Sequence, residues 1–294
     1  KSMTALAILG MVPQPQGNIT AGEILYKRQD LLKASKAQIR KIRGNDVTMI
    51  FQEPMTSLNP VYTAGEQIAE TLRYNQKVNR QDAARRAVEM LEIVSIPSPD
   101  KVARQFPYQL SGGMRQRVVI AMALACSPDL FIADEPTTAL DVTVQAQIFE
   151  LLREIQNKRQ TAIIFITHDM AAIATVAHRV AVMYAGYKVE EGLVRDVLDH
   201  PLHPYTKGLM ACVPHLDIDA VGDPKPLNEI PGIVPSPLTL GNSCAFAPRC
   251  IHAIDICHAS EPAFIQVSDS HGAACWLLSK TKDYKISSHE FCPY

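Results

Sequence analysis

Short apolar runs, each closed by a polar residue, punctuate the first two thirds of the chain. Val47-Thr48-Met49-Ile50-Phe51, Leu130-Phe131-Ile132-Ala133 before Asp134, and Ala162-Ile163-Ile164-Phe165-Ile166 are too short for helices and too apolar for one-sided strands. Each is predicted as a buried strand. Helical spacing fills the gaps. Arg80–Val94 puts Ala84, Val88 and Leu91 on one face and charges on the other. Residues 1–10, Ser35–Arg43, Gly65–Arg73, Val142–Lys158 and Met170–Ala177 are also read as helices, and Val180–Tyr184 as a further strand. Leu110-Ser111-Gly112-Gly113 interrupts the pattern, and a long helix then runs to about Cys126. Strands alternating with helices predict a parallel α/β sheet. Ligands of such sheets sit beyond the C-terminal strand ends, so Gln52, Asp134, Glu135 and His168 are expected on one edge.

The texture changes near His200, where Pro201, Pro204, Pro214, Pro224, Pro226, Pro231, Pro235 and Pro237 crowd into 37 positions. A boundary is placed there, giving an α/β domain over 1–200 and a loop-rich domain over 201–294. The length of 294 residues agrees with two domains. Lys+Arg number 29 and Asp+Glu 30, a net charge of -1, which argues against a basic nucleic-acid binder. No run of about 18 apolar residues suggests a membrane span. The seven cysteines, an odd number without a secretion signal, point to reduced thiols or metal ligation. Cys126, Cys212 and Cys292 are scattered; the other four lie together near the C-terminus.

Asp134-Glu135 after a buried strand is the strongest chemical signal. The strand would hold the first carboxylate where it can position Mg²⁺, and the next could orient a water against a phosphate. The bland alternative is a solvated strand end. Ser111-Gly112-Gly113 opening a helix offers backbone N–H groups, a hydroxyl and a helix dipole to an anion; alternatively it is a plain N-cap. Thr137-Thr138-Ala139-Leu140-Asp141 follows the carboxylates, and His168 follows the next strand.

Gln52, Leu110–Met114, Leu130–Pro136, Ala139–Asp141 and His168 stand in the order and spacing of ABC-transporter ATPase subunits, which the chain closely resembles. The resemblance implies a P-loop NTPase sheet with an inserted helical subdomain at about 61–128, ATP as substrate and Mg²⁺ as cofactor. It implies that Gln52 approaches Mg²⁺ and couples to the membrane subunit. Ser111, Gly112 and Gly113 would close on ATP bound to a partner subunit, and Asp141 would communicate across that dimer. Asp134 would organise Mg²⁺, Glu135 would be the catalytic carboxylate and His168 the switch at the γ-phosphate. Met114 departs from the common Gln and reads as subfamily character.

The N-terminus departs more seriously. Lys1-Ser2 matches only the last two residues of the phosphate loop G-x-x-x-x-G-K-[ST]. Lys1 could reach the β- and γ-phosphates and Ser2 could ligate Mg²⁺, or both are a frayed terminus. The sequence is therefore expected to be a fragment of a longer ATPase.

Met49–Pro60, His203-Pro204-Tyr205-Thr206 and the stretch around Ile230-Pro231-Gly232 resemble the dipeptide/oligopeptide (and nickel) importer ATPases. Residues from about Ser279 onward match nothing identifiable. The subfamily implies a homologous second ATPase subunit, two transmembrane permease subunits, a solute-binding protein and a peripheral place on the cytoplasmic face of the inner membrane. The C-terminal cysteines read C-x5-C-x6-C-x17-C: Cys244, Cys250, Cys257 and Cys275. Four thiolates so spaced can close a site for Zn²⁺ or a [4Fe–4S] cluster, and the resemblance implies the cluster; four reduced core thiols are the other reading. His252, His258 and His271 are nearby possible ligands, though such histidines are more often surface residues. A loop-rich region of this size gains stability from a metal staple. The competing functions are a soluble non-transport ABC ATPase, and a non-catalytic fragment or metal-binding regulator.

Overall fold

Three parallel strands organise the first of two units, Lys1–His168. The computed structural model describes residues 1–52, 57–138, 140–159, 161–213, 228–236 and 240–279. Positions 53–56 of the importer-like run, Ala139, Pro214, Pro224, Pro226, Pro237 and Cys292 lie outside the described residues, as does all but the first residue of the unmatched tail. In chain order the first unit contains α1 (Ser2–Ile8), β1 (Leu25–Tyr26), β2 (Gln29–Asp30), α2 (Lys36–Ile42), β3 (Val47–Ile50), α3 (Ala64–Gln76), α4 (Arg80–Ile93) and α5 (Pro99–Val102). It continues with α6 (Gly112–Leu124), β4 (Leu130–Asp134), α7 (Val142–Arg159) and β5 (Ala162–Ile166). β4 is central, pairing with β3 from Val47↔Leu130 to Ile50↔Ala133 and with β5 from Leu130↔Ala162 to Asp134↔Ile166.

Capping sets where the inserted helices begin. Thr63 and Glu66 form a capping box on α3, Asn79 caps α4 and Ser111 caps α6. The apolar stripes of these helices then share one core with the sheet. Ile68, Leu72, Leu91, Ile120 and Leu124 are buried in the same cluster as Phe131, Ile148 and Leu152. A second cluster joins Ala5 of α1 and its C-cap Leu9 to Val47, Ile132 and Ile166.

The second unit, Asp169–Tyr294, contains α8 (Met170–Val176), β6 (Arg179–Tyr184), β7 (Tyr187–Leu193), α9 (Val194–Asp199) and α10 (Pro204–Ala211). After these come α11 (Asp255–Ala259), β8 (Phe264–Gln266), β9 (Gly272–Ala274) and α12 (Trp276–Ser279). Its four-stranded sheet has the order β6-β7-β9-β8 and is antiparallel throughout. This corrects the expectation that Val180–Tyr184 extends the parallel sheet. Ala185 and Gly186 both take positive φ, 47° and 94°. That two-residue turn sends the chain straight back, so β6 pairs antiparallel with β7. β7 precedes the proline-rich change of texture and β9 follows it, yet Glu190 pairs with Ala273 and Glu191 with Gly272. One sheet thus runs across position 200. Among the described residues no helix is long and apolar enough to cross a membrane.

Candidate functional site

The C-terminal ends of β3, β4 and β5 bring four sequence-predicted residues together. Glu135 is the hub. Its Oε2 accepts from Gln52 Nε2 at 3.4 Å and from Thr138 Oγ1 at 3.2 Å, and its Oε1 lies 3.2 Å from His168 Nδ1. Lys1 Nζ donates to the Thr167 carbonyl at 2.9 Å, immediately before His168, and its charge is felt at Glu135. Glu135 adopts a left-handed backbone, φ 49°, while its N–H donates to the Ile166 carbonyl at 2.9 Å. For a side-chain-bearing residue that conformation costs about 1–3 kcal/mol, a strain typical of functional positions. Burial raises the Glu135 pKa, but the hydrogen bonds from His168 and Thr138 and the charges of His168 and Lys1 outweigh it. The carboxyl therefore stays below its ordinary range.

Asp134 is 2% exposed, and its Oδ1 has no hydrogen-bond partner in the described structure. A buried carboxylate oxygen without a donor is costly. A hard cation, or a water bound to one, would satisfy it, so the donor chemistry fits Mg²⁺. Ser2 opens α1 directly after Lys1, whose side chain makes no capping bond.

Ser111, Gly112 and Gly113 open α6, and Asp141 stands at the start of α7. Ser111 Oγ accepts from Met114 N at 3.3 Å, and Asp141 Oδ1 accepts from Val144 N at 2.9 Å. A Cβ on Gly113 would stand 2.8 Å from Val144 Cγ1, so only glycine lets α6 approach α7 this closely. Gly113 thus meets α7, whereas Gln52 and His168 meet Glu135. Gln145 Nε2 ties the two regions by donating to the Thr137 carbonyl at 3.2 Å. Thr138 was visible in the motif, but its bond to Glu135 is set by the turn, not by the spacing.

In the second unit Cys244, Cys250, Cys257 and Cys275 line one pocket together with His203 and Trp276. The pocket is narrow, with room for about one water. Burial raises the thiol pKa of Cys244 and Cys250, and pushes Cys275 to about 11. Three of the sulfurs share a local pattern: the N–H two residues on, Phe246, His252 and Leu277, donates to Cys244, Cys250 and Cys275, and Ala247 N–H adds a second bond to Cys244. Such donors stabilise thiolate over thiol. Yet among the described residues no group of three or more His, Cys, Asp or Glu side chains could hold a metal ion. The four thiols therefore meet at one pocket without being gathered around a single ion.

His271 is no surface residue, contrary to expectation. It is 6% exposed, and its Nε2 lies 2.7 Å from Oε1 of the fully buried Glu190. The same carboxylate accepts from Leu202 N at 2.8 Å and His203 N at 3.0 Å. Neither Glu190 nor His203 was singled out from the sequence for a role, because nothing local marks a strand glutamate as buried.

Comparison with known proteins follows the same two regions. Residues 1–138 match the ABC transporter family, and residues 189–257 match the oligopeptide/dipeptide transporter C-terminal region. The oligopeptide transport ATP-binding protein OppD of Bacillus subtilis (strain 168) is 50% identical over 278 residues, 95% of this chain and 77% of that protein. The chain belongs to the oligopeptide/dipeptide ABC-transporter ATP-binding family. The dipeptide transport ATP-binding protein DppD of the same organism is 46% identical over 288 residues, 98% of this chain and 85% of that one. Among solved structures, a dimeric ATP-binding cassette in a post-hydrolysis state with ADP and Pi is 28% identical. It superposes with a TM-score of 0.57 over 66% of this chain and 80% of its own.

Proposed function

We propose that this protein is the ATP-hydrolysing subunit of a membrane ABC importer that takes up peptides. The observation that carries the reading is the Glu135 carboxylate, held ionised between Gln52, Thr138 and His168 at the ends of three adjacent parallel strands. An ionised carboxylate fixed at a strand end can orient a water and take its proton as that water attacks a phosphorus. His168 holds Glu135 Oε1 on the side away from Thr138 and Gln52, and contacts the γ-phosphate. Lys1 carries a positive charge to the same edge. Asp134, with Ser2 and Gln52, would hold Mg²⁺, which would neutralise phosphate charge. Ser111, Gly112 and Gly113 close over nucleotide held by a second, homologous ATPase subunit, and Asp141 links α7 to that closure. The partners are two permease subunits, served by a solute-binding protein, and the subunit sits peripherally on the cytoplasmic face of the membrane.

We assign the four cysteines to a [4Fe–4S] cluster. A cluster spreads its thiolates over separate irons, as four cysteines around one pocket with N–H donors on three sulfurs would permit. The cluster would supply a covalent staple between segments 244–257 and 275.

The first test is Glu135→Gln in the native protein purified from its source cells. ATP binding should persist and turnover should fall by about 100-fold or more; retained turnover refutes the assignment. Anaerobic purification should give iron and sulfide with the protein, and Cys275→Ser should lose them. One zinc per chain with no iron would overturn the cluster.

A further inference from the structure

Charge is unevenly spread along the first unit. Residues 27–43 hold seven of the chain's 29 cations and one of its 30 acids. Three of the seven are engaged within the fold. Lys27 Nζ stands 2.7 Å from Asp129, and Lys33 Nζ 3.1 Å from Asp30. Arg43 donates to the Leu9 and Gly10 carbonyls at 2.5 and 2.7 Å, closing the C-terminus of α1. Arg28, Lys36, Arg40 and Lys41 are exposed, and among the described residues none has an ion pair or a side-chain hydrogen bond. Their platform is fixed. Asp30 accepts from Ile24 N and Leu32 N at 3.2 and 3.1 Å, joining the β1–β2 hairpin to the 3₁₀ turn Leu31–Lys33, and the Ser35 capping box starts α2. Tyr26 of β1 and Ile42 of α2 pack on the same apolar cluster. Arg28 is the informative residue. It turns the hairpin at φ 66°, a left-handed conformation that Gly or Asn adopts more readily, and no partner accounts for a cation there.

We propose that this basic face, carried by the β1–β2 turn and α2, is a contact for anionic phospholipid headgroups of the membrane that holds the importer. The inference rests on the peripheral placement in the proposed function and adds how the first unit meets the lipid. Four unpaired cations on one short folded segment are what an anionic leaflet attracts. Headgroup phosphates diffuse in the plane of the leaflet, so they match cations on separate elements without a shaped cavity. A nucleic acid fits less well, because a net charge of -1 over the whole chain opposes a long polyanion that runs past this segment. The attraction acts over about 8 Å at physiological ionic strength, so the face counts only when it lies against the leaflet. There each cation strengthens attachment about fivefold.

The test is co-sedimentation of the native protein, purified away from its permease, with vesicles of phosphatidylglycerol and phosphatidylcholine or of phosphatidylcholine alone. Wild type should sediment with the anionic vesicles at about 0.1 M salt, stay in solution with the neutral ones, and be released at about 1 M salt. Arg28→Glu/Lys36→Glu/Arg40→Glu should bind the anionic vesicles about 100-fold more weakly while keeping ATP turnover. Lys36 opens α2, where an acid suits the helix dipole, so the helix is retained. Lys77→Glu/Lys101→Glu/Arg104→Glu changes the net charge equally at exposed positions outside the face and should bind as wild type does. Equal loss in both triple variants, or no binding by wild type, overturns the proposal. Wild type that sediments only with permease-containing vesicles, whatever their lipid charge, overturns it in favour of a protein partner. Absence of ATP turnover in wild type counts instead against the ATPase reading. Should the triple variant fail to fold, acetylation of wild type decides. Anionic vesicles should shield Lys36 and Lys41, but not Lys77 and Lys101, from acetic anhydride, and equal labelling refutes the contact.

Discussion

Gly113→Ala separates what this glycine does for packing from what it does for nucleotide. The added Cβ would lie 2.8 Å from Val144 Cγ1 and 3.4 Å from Cγ2. Val144 is β-branched and in the first turn of α7, where one χ1 rotamer dominates, so it cannot swing both methyls aside cheaply. Overpacking of this kind costs about 1–3 kcal/mol, whereas replacing glycine by alanine in a helix returns about 0.5–1 kcal/mol. The net expectation is a loss of about 1–2 kcal/mol, or about 2–8 °C in the melting of the first unit. Val144→Ala removes both clashing methyls, so the double variant should melt near the Val144→Ala single variant, with a coupling energy of about 1 kcal/mol or more. Thermal melts of the four proteins, followed by far-ultraviolet circular dichroism, measure this. A Gly113→Ala protein as stable as wild type, with no coupling to Val144, would refute the packing argument. ATP turnover then supplies the functional half. If the double variant regains stability but not turnover, the glycine also serves the approach of nucleotide.

Three further outcomes follow from the same contacts. The Glu135 carboxyl has a depressed pKa, so the stability it contributes is present above its unfolded value and is lost as pH falls through the folded one. His168→Ala removes a hydrogen bond and a charge that depress it, so the acid limb of the turnover profile should move to higher pH; an unmoved limb refutes the coupling. Glu190→Ala strands two backbone N–H groups and His271 in a buried site, at a cost of about 3–5 kcal/mol. Hydrogen exchange at the Leu202 and His203 amides should accelerate accordingly, and unchanged protection would count against the assignment. Arg249 donates to the Ile230 and Pro231 carbonyls at 2.6 and 2.8 Å. Arg249→Ala should therefore speed proteolytic cleavage within 228–236 while leaving the melting temperature within about 2 °C, since the guanidinium is partly solvated.

Much of the first unit was legible because its signals are local. An apolar run between polar ends reads as a strand, and Val47–Ile50, Leu130–Asp134 and Ala162–Ile166 fall where the runs lie, but only the first two are largely buried; in the third, at the sheet's edge, Ala162 and Ile164 are exposed. The helix starts were equally local, since Ser111 beside two glycines signals a cap in any context. The β1–β2 hairpin was illegible for the opposite reason. Its turn is made by Lys27 and Arg28, both at positive φ, and neither is a residue that ordinarily announces such a turn. Val180–Tyr184 was recognisable as a strand but not as an antiparallel one, because pairing direction depends on the turn that follows and on which edge is available.

The sequence by itself determined where β3, β4 and β5 lie, the carboxylates that end β4 and the spacing of the C-terminal cysteines, since each is a matter of residue type and spacing. Only the tertiary structure decided that Glu135, rather than His168 or Gln52, is the hub. It alone decided that Gly113 is constrained by Val144 and that Glu190 binds His271 across 81 positions of chain. These are contacts between distant segments. Their geometry is fixed by close packing of the elements, and no local pattern of residues records which partner that packing will supply.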